Sequence, residues 1–220
     1  MSQLVFLDSN VLAKPFTRTL LWAGGLHSSY HVTWSITAER EASRHLRSSA
    51  IPIQALRLRL GQTLGPTGTD PNRFTSTEVS DRQLLADACA VGAQFLVTED
   101  VDDYGETDLI AGHIAAVHPD LFLSVRLSPT GYLAGVRALS TGSSSPSRTP
   151  EQVHQQAGRL HPLLVAAMQA RFPGVQVALP THRPTAVQYR GAICLRCGGA
   201  RLPTNSESVG TAPTCTNSCS

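Results

Sequence analysis

The chain has 220 residues, 41% of them hydrophobic, with 18 basic and 16 acidic side chains and a net charge of +2. That suits one α/β domain with an appendage and enough apolar surface for a core. No apolar run approaches the ~18 residues of a membrane span, so no membrane partner is expected. The start, MSQLVFLDSN, has no basic region ahead of an apolar one, which predicts a cytoplasmic location rather than export. Charge is unevenly spread. Residues 1–108 carry 9 basic and 13 acidic side chains, and residues 109–220 carry 9 and 3. All the basic residues but Lys14 are arginine, which fits a GC-rich genome as well as it fits polyanion binding.

In chain order, Leu4–Leu7 is apolar throughout and reads as a central strand of a parallel sheet. Asp8 follows at its carboxyl end, as an N-cap or as part of a site. Val11–Leu26 is helical with an interruption at Pro15. His31–Trp34 is a second strand, and Ser35 or Thr37 caps the next helix. Arg40, Arg44 and Arg47 recur at helical spacing as a basic stripe, either a solvated face or a rail for phosphates. Ile53–Leu60 reads as a helix and Gly61–Thr77 as a loop.

Ser80 with Gln83 forms a capping-box pattern before an apolar helix face of Leu84, Leu85, Ala88 and Cys89, which Gly92 stops. Asp81 stands in the first turn, and Asp87 falls on another face, as a surface residue. Gln94–Thr98 is a short buried strand, followed by Glu99, Asp100, Asp102 and Asp103. Asp108 opens a short helix, His113–Val117 is a further strand, and Asp120–Arg126 and Pro129–Leu139 are helices that finish the domain. Residues 140–150 read as a linker, 151–172 as a helix kinked or split at Pro162, and 173–220 as an irregular tail.

Asp8, Glu41, Asp81, Asp100 and Asp103 all fall at strand ends or helix starts, where open α/β sheets hold their sites. Converging carboxylates repel and need a compensating charge, and oxygen ligands suit Mg²⁺ or Mn²⁺. The eight histidines show no metal-ligand spacing. Glu39 competes with Glu41 for the α-helical position. Glu99, Asp102 and Asp108 are expected to be solvated.

FLDSNVL at 6–12, the spacing from Trp34–Ser35 to Glu41, and D-x-x-LLA-x-A…GA-x-FLVT-x-D-x-x-D at 81–103 resemble a PIN-domain nuclease, over roughly Leu4 to Leu139. The resemblance implies a three-layer α/β/α fold with a central parallel sheet in residues 1–139. It implies a metal-dependent endoribonuclease in which Asp8, Glu41, Asp81, Asp100 and Asp103 gather Mg²⁺ or Mn²⁺, supported by Asn10 and Thr98. It further implies a likeness to VapC-type toxins, with RNA as substrate, a small antitoxin as partner and a homodimer. The alternatives are an RNA-processing nuclease, a DNA-acting or flap nuclease, and a non-catalytic RNA- or protein-binding module.

In the tail, Cys194-x-x-Cys197 and Cys215-x-x-x-Cys219 are separated by 17 residues. Four thiolates can hold Zn²⁺ tetrahedrally and would staple a zinc ribbon over 191–219. Free thiols in an unstructured tail are the other reading. Cys89, on the apolar helix face, is expected in the core.

Overall fold

The computed structural model describes residues 2–47, 50–142, 147–177, 199–202 and 214–215. Its centre is a parallel sheet of β1 (Gln3–Leu7), β2 (Tyr30–Thr33), β3 (Phe95–Val97) and β4 (Ala115–Val117), in the order β2-β1-β3-β4. Val5 pairs with Phe95 and Phe95 with Ala115, and the Asp8 amide extends the ladder to Val97 O at 3.1 Å. Successive strand residues face opposite sides of a sheet. Every residue of Val5–Leu7, Phe95–Val97 and Ala115–Val117 is buried, so helices cover both faces. That explains why these strands read as unbroken apolar runs.

The β1–β2 crossover holds α1 (Ser9–Leu12) and α2 (Pro15–Gly25), two helices rather than one interrupted helix, because Pro15 starts a new first turn. The β2–β3 crossover holds α3 (Ile36–Arg44), α4 (Ile53–Arg59) and α5 (Arg82–Ala90). Ser35, not Thr37, caps α3 by accepting from the Ala38 amide. Helix α3 ends at Arg44, so Arg47 lies beyond it and the stripe holds only for Arg40 and Arg44. Helix α5 ends as its glycine predicts, with Gly92 at φ +70°. Helix α6 (Glu106–Gly112) leads into β4, and α7 (Pro119–Arg126) and α8 (Pro129–Thr141) follow.

The chain leaves β1 toward β2 on one side and returns to β3 on the other. The crevice at the carboxyl ends of β1 and β3 is therefore the topological switch point, where ligands bind in such sheets.

The segment read as 151–172 is two helices, α9 (Pro150–Leu160) and α10 (Pro162–Met168), split at Pro162 and ending in a 3₁₀ turn at Gln169–Arg171. Thr149 and Gln152 form a true capping box at its start. Both helices pack back on the domain, α9 on α8 and α10 on α7, and bury Val153, Ala157, Leu164, Val165 and Met168. The dock is polar at one point. Asp120, fully buried on α7, accepts from the amides of Leu163 (3.1 Å) and Leu164 (3.0 Å), capping α10 from another helix.

A two-stranded antiparallel ladder pairs β5 (Arg201–Leu202) with β6 (Thr214–Cys215). Cys194, Cys197 and Cys219 lie outside the described residues, and the zinc-ribbon expectation lies there with them. Among the described residues no helix is long and apolar enough to cross a membrane.

Candidate active site

Asp8 makes two kinds of contact at the end of β1. It caps α1, with Oδ1 accepting from the Ser9 amide at 2.5 Å, and it anchors a polar cluster at the switch point. Its Oδ2 accepts from Thr98 Oγ1 (2.6 Å), Asn10 Nδ2 (3.1 Å) and Tyr104 OH (3.2 Å). Asp8 is 2% exposed. Burial pushes its carboxyl up from the ordinary range, and the hydrogen bonds from Thr98, Ser9 and Tyr104 pull the other way.

The sheet brings the end of β3 beside Asp8. Thr98 is buried and also accepts from the Asp100 amide at 3.1 Å, which turns the chain after the strand. Asn10 spans the two strand ends. Its amide nitrogen donates to Asp8 Oδ2, to Thr98 Oγ1 (3.0 Å) and to Asp100 Oδ2 (2.9 Å), while its oxygen accepts from the Glu99 amide (3.3 Å). Two carboxylates from distant segments are thus held on one nitrogen.

Asp81 completes the approach from α5. It sits at the N-cap, and its side chain makes no cap bond. Burial raises its pKa, as do the charges of Asp8, Asp103 and Asp100, against a hydrogen bond from Ser80 Oγ (2.8 Å). The Ser80–Gln83 capping box is absent: Asp81 takes the N-cap, and Gln83 Nε2 donates to Gly68 O and Asp87 Oδ1 instead. Asp103 is raised by burial and by Asp100, Glu78 and Asp102.

Tyr104, buried and bonded to Asp8, was not singled out by the sequence. Its only sequence signal is a large ring with a polar tip at the end of an acidic run. Burial drives its hydroxyl well above the ordinary range, and the charges of Asp8, Asp81 and Glu41 add to this. Glu41 on α3 therefore faces the same space. Glu39 does not: it is buried and accepts from Trp34 Nε1 (3.1 Å) and Arg57 Nε (2.9 Å).

Two further acids depart from expectation. Asp87 is fully buried rather than on the surface, with Oδ1 accepting from Gly68 N and Gln83 Nε2, both at 2.7 Å. The loop passes so close to α5 there that a Cβ on Gly68 would lie 2.2 Å from the Ala86 carbonyl carbon. Asp108 is likewise buried, accepting from the amides of Ser76 (2.9 Å) and Thr77 (2.8 Å). It pins the segment that leads to Asp81. Asp102 is exposed as expected, but Glu99 is half-buried and paired with Lys14. Cys89 is half-buried at the edge of the core.

The donor set suits a hard divalent ion, because it is all carboxylate oxygen, with Asp81 and Asp103 repelled by their acidic neighbours. Among the described residues no three carboxylate, imidazole or thiol groups form a ready-made metal cage. Mg²⁺ commonly binds through one or two carboxylates, completed by water and substrate phosphate, so pairs such as Asp8 with Asp100 match its habits. No protein-family model, no curated protein and no solved structure matches the chain.

Proposed function

We propose that this chain is a metal-dependent endoribonuclease that hydrolyses RNA phosphodiester bonds, with the crevice at the ends of β1 and β3 as its active site. The observation that carries the reading is the single amide nitrogen of Asn10 bonded to both Asp8 Oδ2 and Asp100 Oδ2 at the switch point, with Asp81 within electrostatic reach of Asp8, Asp100 and Asp103. The PIN-like order of motifs supports RNA as the substrate and a VapC-type toxin role, with a small antitoxin and a second copy of the chain as partners in the cytoplasm.

The site residues divide the work. Asp8, fixed by four donors, and Asp100, fixed by Asn10, would hold Mg²⁺ or Mn²⁺ with Asp103 and Glu41 at the margin. A bound divalent ion supplies charge neutralisation at the phosphate and acidifies a water. Among the described residues Ser80 engages Asp81 at Oδ2 alone and Oδ1 has no hydrogen-bond partner, and the raised pKa of Asp81 brings it nearer the working range of a general base. It takes the proton of the attacking water. Tyr104 and Thr98 hold Asp8 in orientation as charge changes nearby.

The test is cleavage of total cellular RNA by the purified chain with Mg²⁺ or Mn²⁺, with EDTA, and with Asp81→Asn. Metal-dependent cleavage lost in the variant is expected, and the sequenced ends then separate a toxin from a processing enzyme. A folded chain that cuts DNA or a flap but not RNA, or cuts nothing, would overturn the reading.

A further inference from the structure

A groove of about 470 Å³ runs between α3 and α4, away from the acidic crevice but on the helix that carries Glu41. Ile36, Arg40, Ser43 and Arg44 line it from α3, and Gln54 and Arg57 from α4, over Glu39. Its charge is three guanidiniums against one carboxylate. Arg40 and Arg44 are exposed, stand at i and i+4 on one helix face, and have no ion-pair partner among the described residues. Arg57 is different. Its side chain is 17% exposed, and Glu39 fixes it through Nε at 2.9 Å. Trp34 Nε1 holds the same Glu39 oxygen from below. Both Nη groups of Arg57 remain without a partner among the described residues, as a preorganised fork at the floor of the groove.

We propose that this groove is a subsite for the sugar–phosphate backbone of single-stranded RNA. The planar guanidinium fork matches phosphate oxygens in pairs, which a lysine cannot do. A groove of this size admits a nucleotide unit. Gln54 and Ser43 add neutral polar groups at its rim, suited to sugar hydroxyls. Arg40 precedes Glu41 on α3, so the groove and the acidic crevice share that helix on different faces. The subsite rests on the nuclease reading for its position in the reaction, and its binding can be measured separately. It also revises the stripe seen in the sequence: Arg57 and Gln54 join Arg40 and Arg44, and Arg47 does not line the groove.

The experiment measures fluorescence anisotropy of a labelled single-stranded RNA of roughly 16 nucleotides, with the full chain in EDTA, over a series of salt concentrations. The variants are Arg40→Gln/Arg44→Gln and a charge-matched control, Arg137→Gln/Arg159→Gln, exposed on α8 and α9. The groove variant should bind about tenfold more weakly or worse, with a salt slope shallower by about 1 to 1.5, while the control binds as wild type. Equal losses in both variants would reduce the effect to net charge and overturn the proposal. So would a wild type that binds no RNA but binds poly-glutamate through these arginines, which assigns the groove to an acidic protein. Cleavage assayed alongside with Mg²⁺ separates the two readings. RNA bound through the groove but never cut leaves the subsite standing without the nuclease. RNA cut by a wild type whose groove variant binds equally well leaves the nuclease standing without the subsite.

Discussion

Tyr104 OH donates to Asp8 Oδ2 across 3.2 Å, from a buried ring. The bond joins the end of β1 to the turn after β3, and it is one of four that hold a carboxylate in a place that burial disfavours. Tyr104→Phe keeps the ring and removes the bond. A hydrogen bond to a charged group contributes about 2 kcal/mol, so urea denaturation should show a loss of that order. RNA cleavage should fall as well. Unchanged stability would show that Asp8 does not depend on the phenol.

Asp81→Asn should abolish cleavage and yet stabilise the fold. The carboxyl is raised above its ordinary 3.8 in the folded chain by burial and by its acidic neighbours. An acid with a raised folded pKa favours folding in its protonated form. Its contribution is present below 3.8 and is lost as pH rises through the folded value. Melting curves at neutral pH should place the variant a few degrees above wild type, and below pH 3.8 the two should converge. Mn²⁺ should raise wild type more than the variant, by mass action on the folded state. A variant that melts lower at neutral pH would show that Asp81 is not under repulsive strain.

Glu39 and Glu41 should part cleanly. Glu39→Gln breaks a buried pair with Arg57 and weakens the bond from Trp34, a class of change that costs about 3 to 5 kcal/mol. Glu41→Gln touches no hydrogen bond or ion pair among the described residues, so it should leave the denaturation midpoint alone and slow cleavage. The opposite pattern would exchange their roles.

These two glutamates mark how far the sequence could be read. The strand cores were legible because a parallel sheet with both faces covered writes itself as unbroken runs such as Val5–Leu7 and Phe95–Val97. Asp8, Asp81 and Asp100 were legible because strand ends and helix starts are where chain direction is fixed locally. What escaped was decided across long separations. Asp87 looked superficial on a helix wheel, but the loop at Gly68 covers that face. Gln83 fits a capping box by spacing, and the same loop captures its amide. Asp108 clamps two amides about thirty residues earlier in the chain, and no local pattern announces that.

His161 gives a pH dependence of the opposite sign to the acids. It is buried, bonded at Nε2 to Thr17 Oγ1 (3.0 Å), and its Nδ1 has no partner among the described residues. Burial, with His118 and Lys14 beside it, lowers its pKa to about 3. The unfolded chain takes up this proton near pH 6.5, where the folded chain refuses it. Stability from His161 is therefore present above 6.5 and falls toward pH 3, by up to ~1.4 kcal/mol per unit. Denaturation at pH 7 and pH 5 should show the loss, and His161→Gln should flatten it, with the remainder due to His154, which burial also lowers. An unaltered slope in the variant would place the titration elsewhere.

Asp120→Ala should loosen the C-terminal helices specifically. It strips two amides at the start of α10 of a buried acceptor, at a cost of about 2 kcal/mol or more. Limited proteolysis should cut near Pro162 sooner, while protection of the sheet is kept. Equal protease resistance would mean that apolar packing alone holds the pair.

That cap sets an order of events during synthesis. The carboxylate of Asp120 is made more than forty residues before the amides it serves, and α7 and α8 emerge with their outer faces still bare. A growing chain can assemble the acidic crevice once β3 and β4 have been made, while the surface awaiting α9 and α10 stays open to water. Docking of α9 and α10 is thus a separate and later closure, which seals the apolar flank after the acidic crevice has formed. A ribosome that stalls between α8 and α10 would leave a crevice already assembled on a body still prone to aggregate.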